Sequence, residues 1–356
     1  MQKITFDTKQ NSFFISIKEK VDHYFSERQI DPTGNSKLYF KSIIHVLLAP
    51  VLYTILVFFT PSTWIALSLC VLLGLDLAII GFNVMHEGGH QSFSKYKWLN
   101  MASAYFLNVL GGNADFWRIK HNVNHHTFTN IEGVDSDIDV RPFMRLHRDQ
   151  PRYKLHRFQH FYWVFLYGIS YVVWVYWDDS LKYFSGKIGE HMTAKKWDAK
   201  EHFIFWSTKI GYTFFYLVLP ILIVGFVKAL IGFFVITFVT GLAISIVFQL
   251  AHVVEETHFA LPDKETKKIH EEWAIHQVGA TANFATHNKL LFWLLGGLNF
   301  QIEHHLFPRI SHVHYPVISR FVKEACAEYN IAYHEHSSML KAFMSHLIFL
   351  RKLGAA

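Results

Sequence analysis

Four long, nearly uncharged stretches, 42–60, 64–84, 204–226 and 229–251, constrain this chain more than any other feature. About 20 helical residues, rising 1.5 Å each, cross a hydrocarbon core of roughly 30 Å. Only Pro61, Ser62 and Thr63 separate the first two stretches, and only Val227 and Lys228 the second two. Each pair therefore predicts a transmembrane hairpin with almost no loop on its far side. A fifth stretch, 161–177, is shorter and rich in Trp and Tyr.

Histidine supplies 24 of the 356 residues, and eight of them fall in three short boxes or at one further position, His252. The boxes are His86-Glu-Gly-Gly-His90, His121-Asn-Val-Asn-His125-His126 and Gln301-Ile-Glu-His304-His305. Box one begins just after the second stretch and His252 directly follows the fourth. If all share one site, an even number of crossings must separate His90 from His252. Counting 161–177 as a span would make that number three, so this stretch is predicted to lie as a helix in the interface.

Basic residues set the orientation. Lys3, Lys9, Lys18, Lys20, Arg28, Lys37 and Lys41 precede the first span, while only Lys228 lies near the opposite loops. The positive-inside rule then places both termini and every box on the cytoplasmic face. The expected fold is an all-α integral membrane protein of four transmembrane helices in two hairpins, with a cytoplasmic histidine-rich cap holding a dimetal site. Residues 1–41 form a cytoplasmic N-terminal segment and 42–356 a single membrane domain.

Composition narrows the chemistry. Two cysteines, Cys70 and Cys326, are too few for a disulfide framework, a thiolate zinc site or an iron–sulfur cluster. Any metal must be held by imidazole and oxygen. The formal charge of +6 fits cytoplasmic loops and contact with anionic lipid, and nucleic acid is not an expected partner. Residues 1–41 carry no apolar stretch of the signal-peptide kind.

Each box is ambiguous alone. His86 and His90, four apart, share a helix face; Glu87 lies off it, placed to orient a histidine through its second ring nitrogen. His125 and His126 cannot share a face, so they point at two metals or at opposite sides of a bridged pair. Asp135, Asp137 and Asp139 follow, expected to cap, to pair with Arg141 or Arg145, or to support the histidines from outside. Gln301 can offer a carbonyl oxygen or hold a water, and Glu303 is a second supporting carboxylate. His276, His287, His312 and His314 flank box three without entering it. Asp76 lies mid-span, placed to bond a neighbouring helix or to line an acyl tunnel.

Together the boxes exceed the needs of a mononuclear site, and two metals are the simplest stoichiometry. Imidazole suits Fe, Zn or Cu. The lipid setting favours iron, because attack on an unactivated C–H bond needs redox chemistry that zinc lacks.

The pattern HxxxH, HxxxHH and QxxHH, with paired spans, resembles the membrane fatty-acid desaturases from roughly Pro50 to Tyr333. The run Asn299-Phe-Gln-Ile-Glu-His-His-Leu-Phe-Pro308 is similar to the third box of front-end desaturases, where Gln replaces the usual first His. The three-residue gap in box two resembles that of stand-alone bacterial members. This resemblance implies that His86, His90, His121, His125, His126, His304 and His305 hold a diiron centre. His252 would be an eighth ligand and Gln301 would sit beside one iron, directly or through water.

It further implies an O2-dependent oxidoreductase that removes two hydrogens from adjacent methylenes of an acyl-CoA or acyl-lipid. The new cis double bond would lie between an existing one and the carboxyl end. The chain has no HPGG haem motif of a fused cytochrome b5, so a separate donor is implied, either ferredoxin or cytochrome b5 with its reductase. The implied location is the inner membrane of a bacterium or the endoplasmic reticulum of a eukaryote.

A diiron lipid hydroxylase, an acetylenase or a sphingolipid desaturase would use similar boxes, and the Gln-type third box favours front-end desaturation over these. A zinc-dependent membrane hydrolase would need fewer histidines and a water-activating carboxylate. A metal transporter would place its ligands inside the spans.

Overall fold

The computed structural model describes residues 4–7, 12–189 and 195–356, so Lys3 and Lys9 lie outside the described residues. Its organising helices are α1 (Ser12–Arg28), α2 (Ser36–Phe59), α3 (Thr63–Gly89), α4 (159–185), α5 (Ala199–Val224), α6 (Phe226–His252), α7 (Tyr315–Glu328) and α8 (Met339–Ala355). Among the described residues four helices, α2, α3, α5 and α6, are long and apolar enough to cross a membrane. They contain 24 to 27 residues each, or roughly 36–40 Å of helix at 1.5 Å per residue.

These helices outrun the apolar stretches read from the sequence. Helical hydrogen bonding does not stop where apolar residues do, and polar flanks extend it. Asn35 starts α2 early by accepting from the Lys37 and Leu38 amides. Asp198 and Glu201 start α5 with a reciprocal capping box. Breaks occur where the backbone requires them. Thr60 adopts φ +42° before Pro61, and between α5 and α6 Gly225 takes φ +89°, a value that suits a residue without Cβ.

α3 and α6 pack together, and α4 packs along α6. At the α4–α6 crossing Gly241 lies so close to the Gly168 carbonyl that a Cβ would come within 2.5 Å of it. Buried Trp163, Tyr167, Tyr171 and Val175 mark the inner face of α4, while Phe161, Phe165 and Trp177 are exposed. The mid-span carboxylate of Asp76 bonds Nδ1 of His45 on α2, so it ties two spans together. It is not among the residues lining the open cavity of about 580 Å³ bordered by α2, α3, α5 and residues 106–110.

Outside these helices, the N-terminal helix and the chain after α6 share a core. Phe13, Ile17 and Val21 of α1 share a core with Ile318, Val322 and Cys326 of α7 and with Ile302 and Leu306 of box three. Short parallel strand pairs, Thr5–Phe6 with Lys268–Ile269 and Asn283–Phe284 with Glu335–His336, pin distant segments to one another. The N-terminal segment is therefore packed on the residues that carry the third box.

Candidate metal centre

Box one is the last turn of α3. A π-helical turn, Gly81–Met85, precedes it, with the His86 amide donating to the Gly81 carbonyl. Such turns insert a residue and re-aim the side chains that follow. His86 and His90 then share a face with ring centroids 4.6 Å apart.

Box two is reached through a short helix, Ala114–Arg118, capped by Asn113, which accepts from the Asp115 and Phe116 amides. Asp179 of α4 fixes this cap by accepting the Asn113 amide at 2.9 Å, and Lys209 of α5 bonds the same carboxylate oxygen at 2.8 Å. A second π-helical turn, Ile119–His125, follows, and the His126 amide donates to the His121 carbonyl. Five residues make about one π-helical turn, so His121 and His126 face the same way, their Nε2 atoms 3.2 Å apart. His125 stacks on His121 with ring centroids 5.3 Å apart and directs its Nδ1 to Asp135. Box three opens a helix, Gln301–Leu306, just after Gly296 and Gly297, both at positive φ.

The eight histidines singled out from the sequence converge. Four sets of donor atoms each lie within 4.8 Å of one another: His86, His90, His121 and His304; His125, His252 and His305; His126 with His304 and His305; and His121 with His125 and Asp137. His126 thus stands between the first two groups, its ring 4.3 Å from that of His305 and 4.6 Å from that of His304. His252 joins through His125 at 4.7 Å and His305 at 4.9 Å. His86 and His121 are half-buried and the other six are buried, so the first group meets accessible space. Gln301 is buried and interacts with the His252 ring.

The donor set fits a metal. One ring nitrogen on each of His90, His125, His126, His252, His304 and His305 is buried with no hydrogen-bond partner among the described residues. Burying a polar nitrogen this way is costly unless something binds it. On three of these rings the opposite nitrogen is held. His125 Nδ1 bonds Asp135 at 3.0 Å, His305 Nδ1 bonds Gln277 at 2.8 Å, and His304 Nδ1 bonds the Tyr315 hydroxyl at 3.1 Å. One nitrogen braced and the other bare is the pattern of metal-binding histidines.

Electrostatics agree. Burial, reinforced by neighbouring imidazoles, holds His90, His121, His126, His304 and His305 well below the usual histidine range. They are neutral at pH 7, as ligation requires. At His125 burial also opposes charge, but Asp135 and Asp137 outweigh it and raise the ring. In the neutral ring the hydrogen bond to Asp135 keeps the proton on Nδ1 and leaves Nε2 free to ligate.

The two carboxylates foreseen as supports contact other groups. Glu87 accepts from His312 Nδ1 at 2.6 Å and from Ser92 at 2.9 Å. Glu303 accepts from Asn283 at 2.8 Å and Tyr333 at 2.9 Å, and burial pushes it up to about 7. Asp135 supports His125 from outside, Asp139 pairs with Arg141, and Arg145 directs its donors to the backbone carbonyls of Arg148, Gln150 and Leu353. Among the outer histidines, His276 bonds the Thr129 carbonyl, His314 lies 3.4 Å from that of Thr33, and His287 is exposed. Sequence reasoning missed Gln277, Tyr315, His45 and the Asp179–Lys209 joint. A buried Lys and Asp on separate helices leave no mark in spacing.

Residues 62–337 match the family model for fatty acid desaturase. The chain is 33% identical over 359 residues to the sn-1 linoleoyl-lipid 6-desaturase of Arthrospira platensis, which covers 99% of this chain and 95% of that one. It is 33% identical to the sn-1 linoleoyl-lipid 6-desaturase of a Synechocystis species, over 98% of this chain and 97% of the relative. It is 32% identical to the acyl-lipid (8-3)-desaturase of Physcomitrium patens, over 98% of this chain and 73% of the longer relative.

Proposed function

The chain belongs to the fatty acid desaturase family, oxidoreductases that act on acyl lipids, and we propose that it inserts a cis double bond into a lipid-linked acyl chain. The bond would form between an existing double bond and the carboxyl end. Support comes from two relatives named as linoleoyl-lipid 6-desaturases and from the Gln-type third box.

The centre rests chiefly on the bare nitrogens of six buried histidines. His86, His90, His121 and His304 would hold one iron, and His125, His252 and His305 the other. His126 would stand between the two, and Gln301 would complete the second group directly or through water. Two irons supply the capacity to reduce O2 to two waters with two protons and two external electrons while two C–H bonds give one C=C. Asp135, Gln277 and Tyr315 keep Nδ1 of their histidines occupied, so that Nε2 faces inward. The half-buried side, at His86 and His121, is where a substrate can approach.

In this reading α2–α3 and α5–α6 form two hairpins. Helix 161–177 lies in the interface, and the termini and boxes share the cytoplasmic face. Residues 42–356 act as one domain with 1–41 preceding it. Exposed Phe161, Phe165 and Trp177 support the interfacial placement. Electrons come from a separate ferredoxin or cytochrome b5.

The test is expression in a host poor in desaturases, fed linoleate, with double bonds located by derivatisation and mass spectrometry. A new cis bond on the carboxyl side of an existing one, absent with His304→Ala, is the expected result. Product formation by a stably expressed His304→Ala protein would overturn the assignment.

A further inference from the structure

Three almost fully buried groups outside the histidine cluster form a continuous chain. Lys41 of α2, Glu87 in the last turn of α3 and His312 after box three are 3%, 3% and 1% exposed. Lys41 Nζ lies 3.1 Å from His312 Nε2 and donates to the Trp293 carbonyl at 2.9 Å. His312 Nδ1 lies 2.6 Å from Glu87 Oε1, and the His312 amide donates to the same oxygen at 2.9 Å. An ammonium has no lone pair, so His312 Nε2 must accept and its proton sits on Nδ1, facing the carboxylate. A neutral imidazole thus bridges a buried cation and a buried anion.

We propose that Lys41, His312 and Glu87 form a clamp that fixes box three against box one and so positions the His86–His90–His121–His304 group. This rests on the metal centre proposed above. Burying two charges is a poor way to gain stability, since apolar residues of similar volume often serve as well or better. What the arrangement does gain is registry. Further fastenings act along the same seam. Asn83 of α3 donates to the Leu294 carbonyl at 2.9 Å. A Cβ on Gly296 would fall 2.7 Å from the Phe82 carbonyl, and one on Gly297 would fall 2.5 Å from the His312 Cβ.

Segment 293–312, which carries box three, is therefore held at both ends on α2 and α3. The His86 and His304 rings are left 4.6 Å apart. The His125–His252–His305 group shares this segment through His305 but has ring-level braces of its own, Asp135 on His125 and Gln277 on His305. Lys41, His312 and Glu87 are positioning residues that act through the backbone.

The clamp is tested by counting iron in purified protein loaded with Fe2+, beside thermal unfolding of the metal-free protein. Wild type should hold two irons per chain. His312→Phe and Lys41→Met should hold one, the affinity of the His86–His90–His121–His304 group falling about 10–100-fold as for loss of an outer support of a metal site, and product formation should be lost with that iron. Lys41→Arg, which keeps charge and donors, should restore the second iron. Adding His252→Ala to His312→Phe should remove the remaining one. Two irons at wild-type affinity in both clamp variants would overturn the clamp alone. So would parallel loss of both irons with a collapse of the metal-free unfolding temperature, which marks a merely structural role. A wild-type chain that binds no iron would overturn the centre and the clamp with it.

Discussion

Two groups of the histidine cluster, His86–His90–His121–His304 and His125–His252–His305, are built on different plans. His86, His90, His121 and His304 come from the end of α3, the π-helical turn of box two and the helix of box three, and their spacing follows from where these backbones are fastened. His125, His252 and His305 are placed ring by ring, with Asp135 on His125 and Gln277 on His305. The first group meets accessible space and the second is closed. A group that must admit a substrate has little room for side-chain braces on its open side, so its order has to come from behind. The closed group can be braced directly. His126, between His304 and His305, belongs to both plans.

The sharpest way to break this comparison is to remove what the groups share. His126→Ala should abolish product formation and lower metal content in both groups, because its ring contacts His304 and His305 at once. Iron counting on the purified variant checks it. Loss of metal from one group only would mean that His126 belongs to that group and bridges nothing.

A smaller effect is expected at the strongest single brace. Asp135 accepts from His125 and from the backbone amides of Asn130 and Asp137, so an amide in its place keeps part of the network and loses the charge. Asp135→Asn should weaken metal affinity about 10–100-fold, the usual cost of losing an outer partner of a ligating histidine. Iron should leave the His125–His252–His305 group first. Titration with a chelator, read against wild type, would show the lower affinity as an early step of one iron per chain.

The same contrast explains how much could be read from the sequence. The four spans were legible because lipid imposes length and composition, and box one because i,i+4 histidines share a face without help from elsewhere. His252 was legible from its place at the end of an apolar helix. The separation of His125 from His126 was foreseen, but not the π-helical turn over Ile119–His125 that pairs His121 with His126, since a five-residue repeat leaves no compositional mark. Lys41 reads in the sequence as one more cytoplasmic charge, yet it is folded inside against Trp293 and His312. Glu87 reads as support for a boxed histidine and bonds His312 instead. Ligand boxes are local and braces are not. Gln277 reaches His305 across 28 residues, and Glu87 reaches His312 across 225.

The smallest effect tests whether the open group needs ring-level bracing at all. His304 has one such contact, from its Nδ1 to the Tyr315 hydroxyl at 3.1 Å, and both residues are buried. Tyr315→Phe removes a single neutral hydrogen bond and keeps the ring in the core it shares with Ile302, Leu306 and Ile318. Leaving one buried nitrogen unpartnered costs about 1–3 kcal/mol, and a neutral partner places the cost near the lower end. Activity should fall by about tenfold or less, an equilibrium factor of ten being about 1.4 kcal/mol. Both irons should remain, because the backbone of segment 293–312 is still held. Single-turnover product yield and iron content on one preparation would decide it. If Tyr315→Phe cost as much as Asp135→Asn, the open group would depend on its ring contact as heavily as the closed one, and the difference between the two plans would vanish.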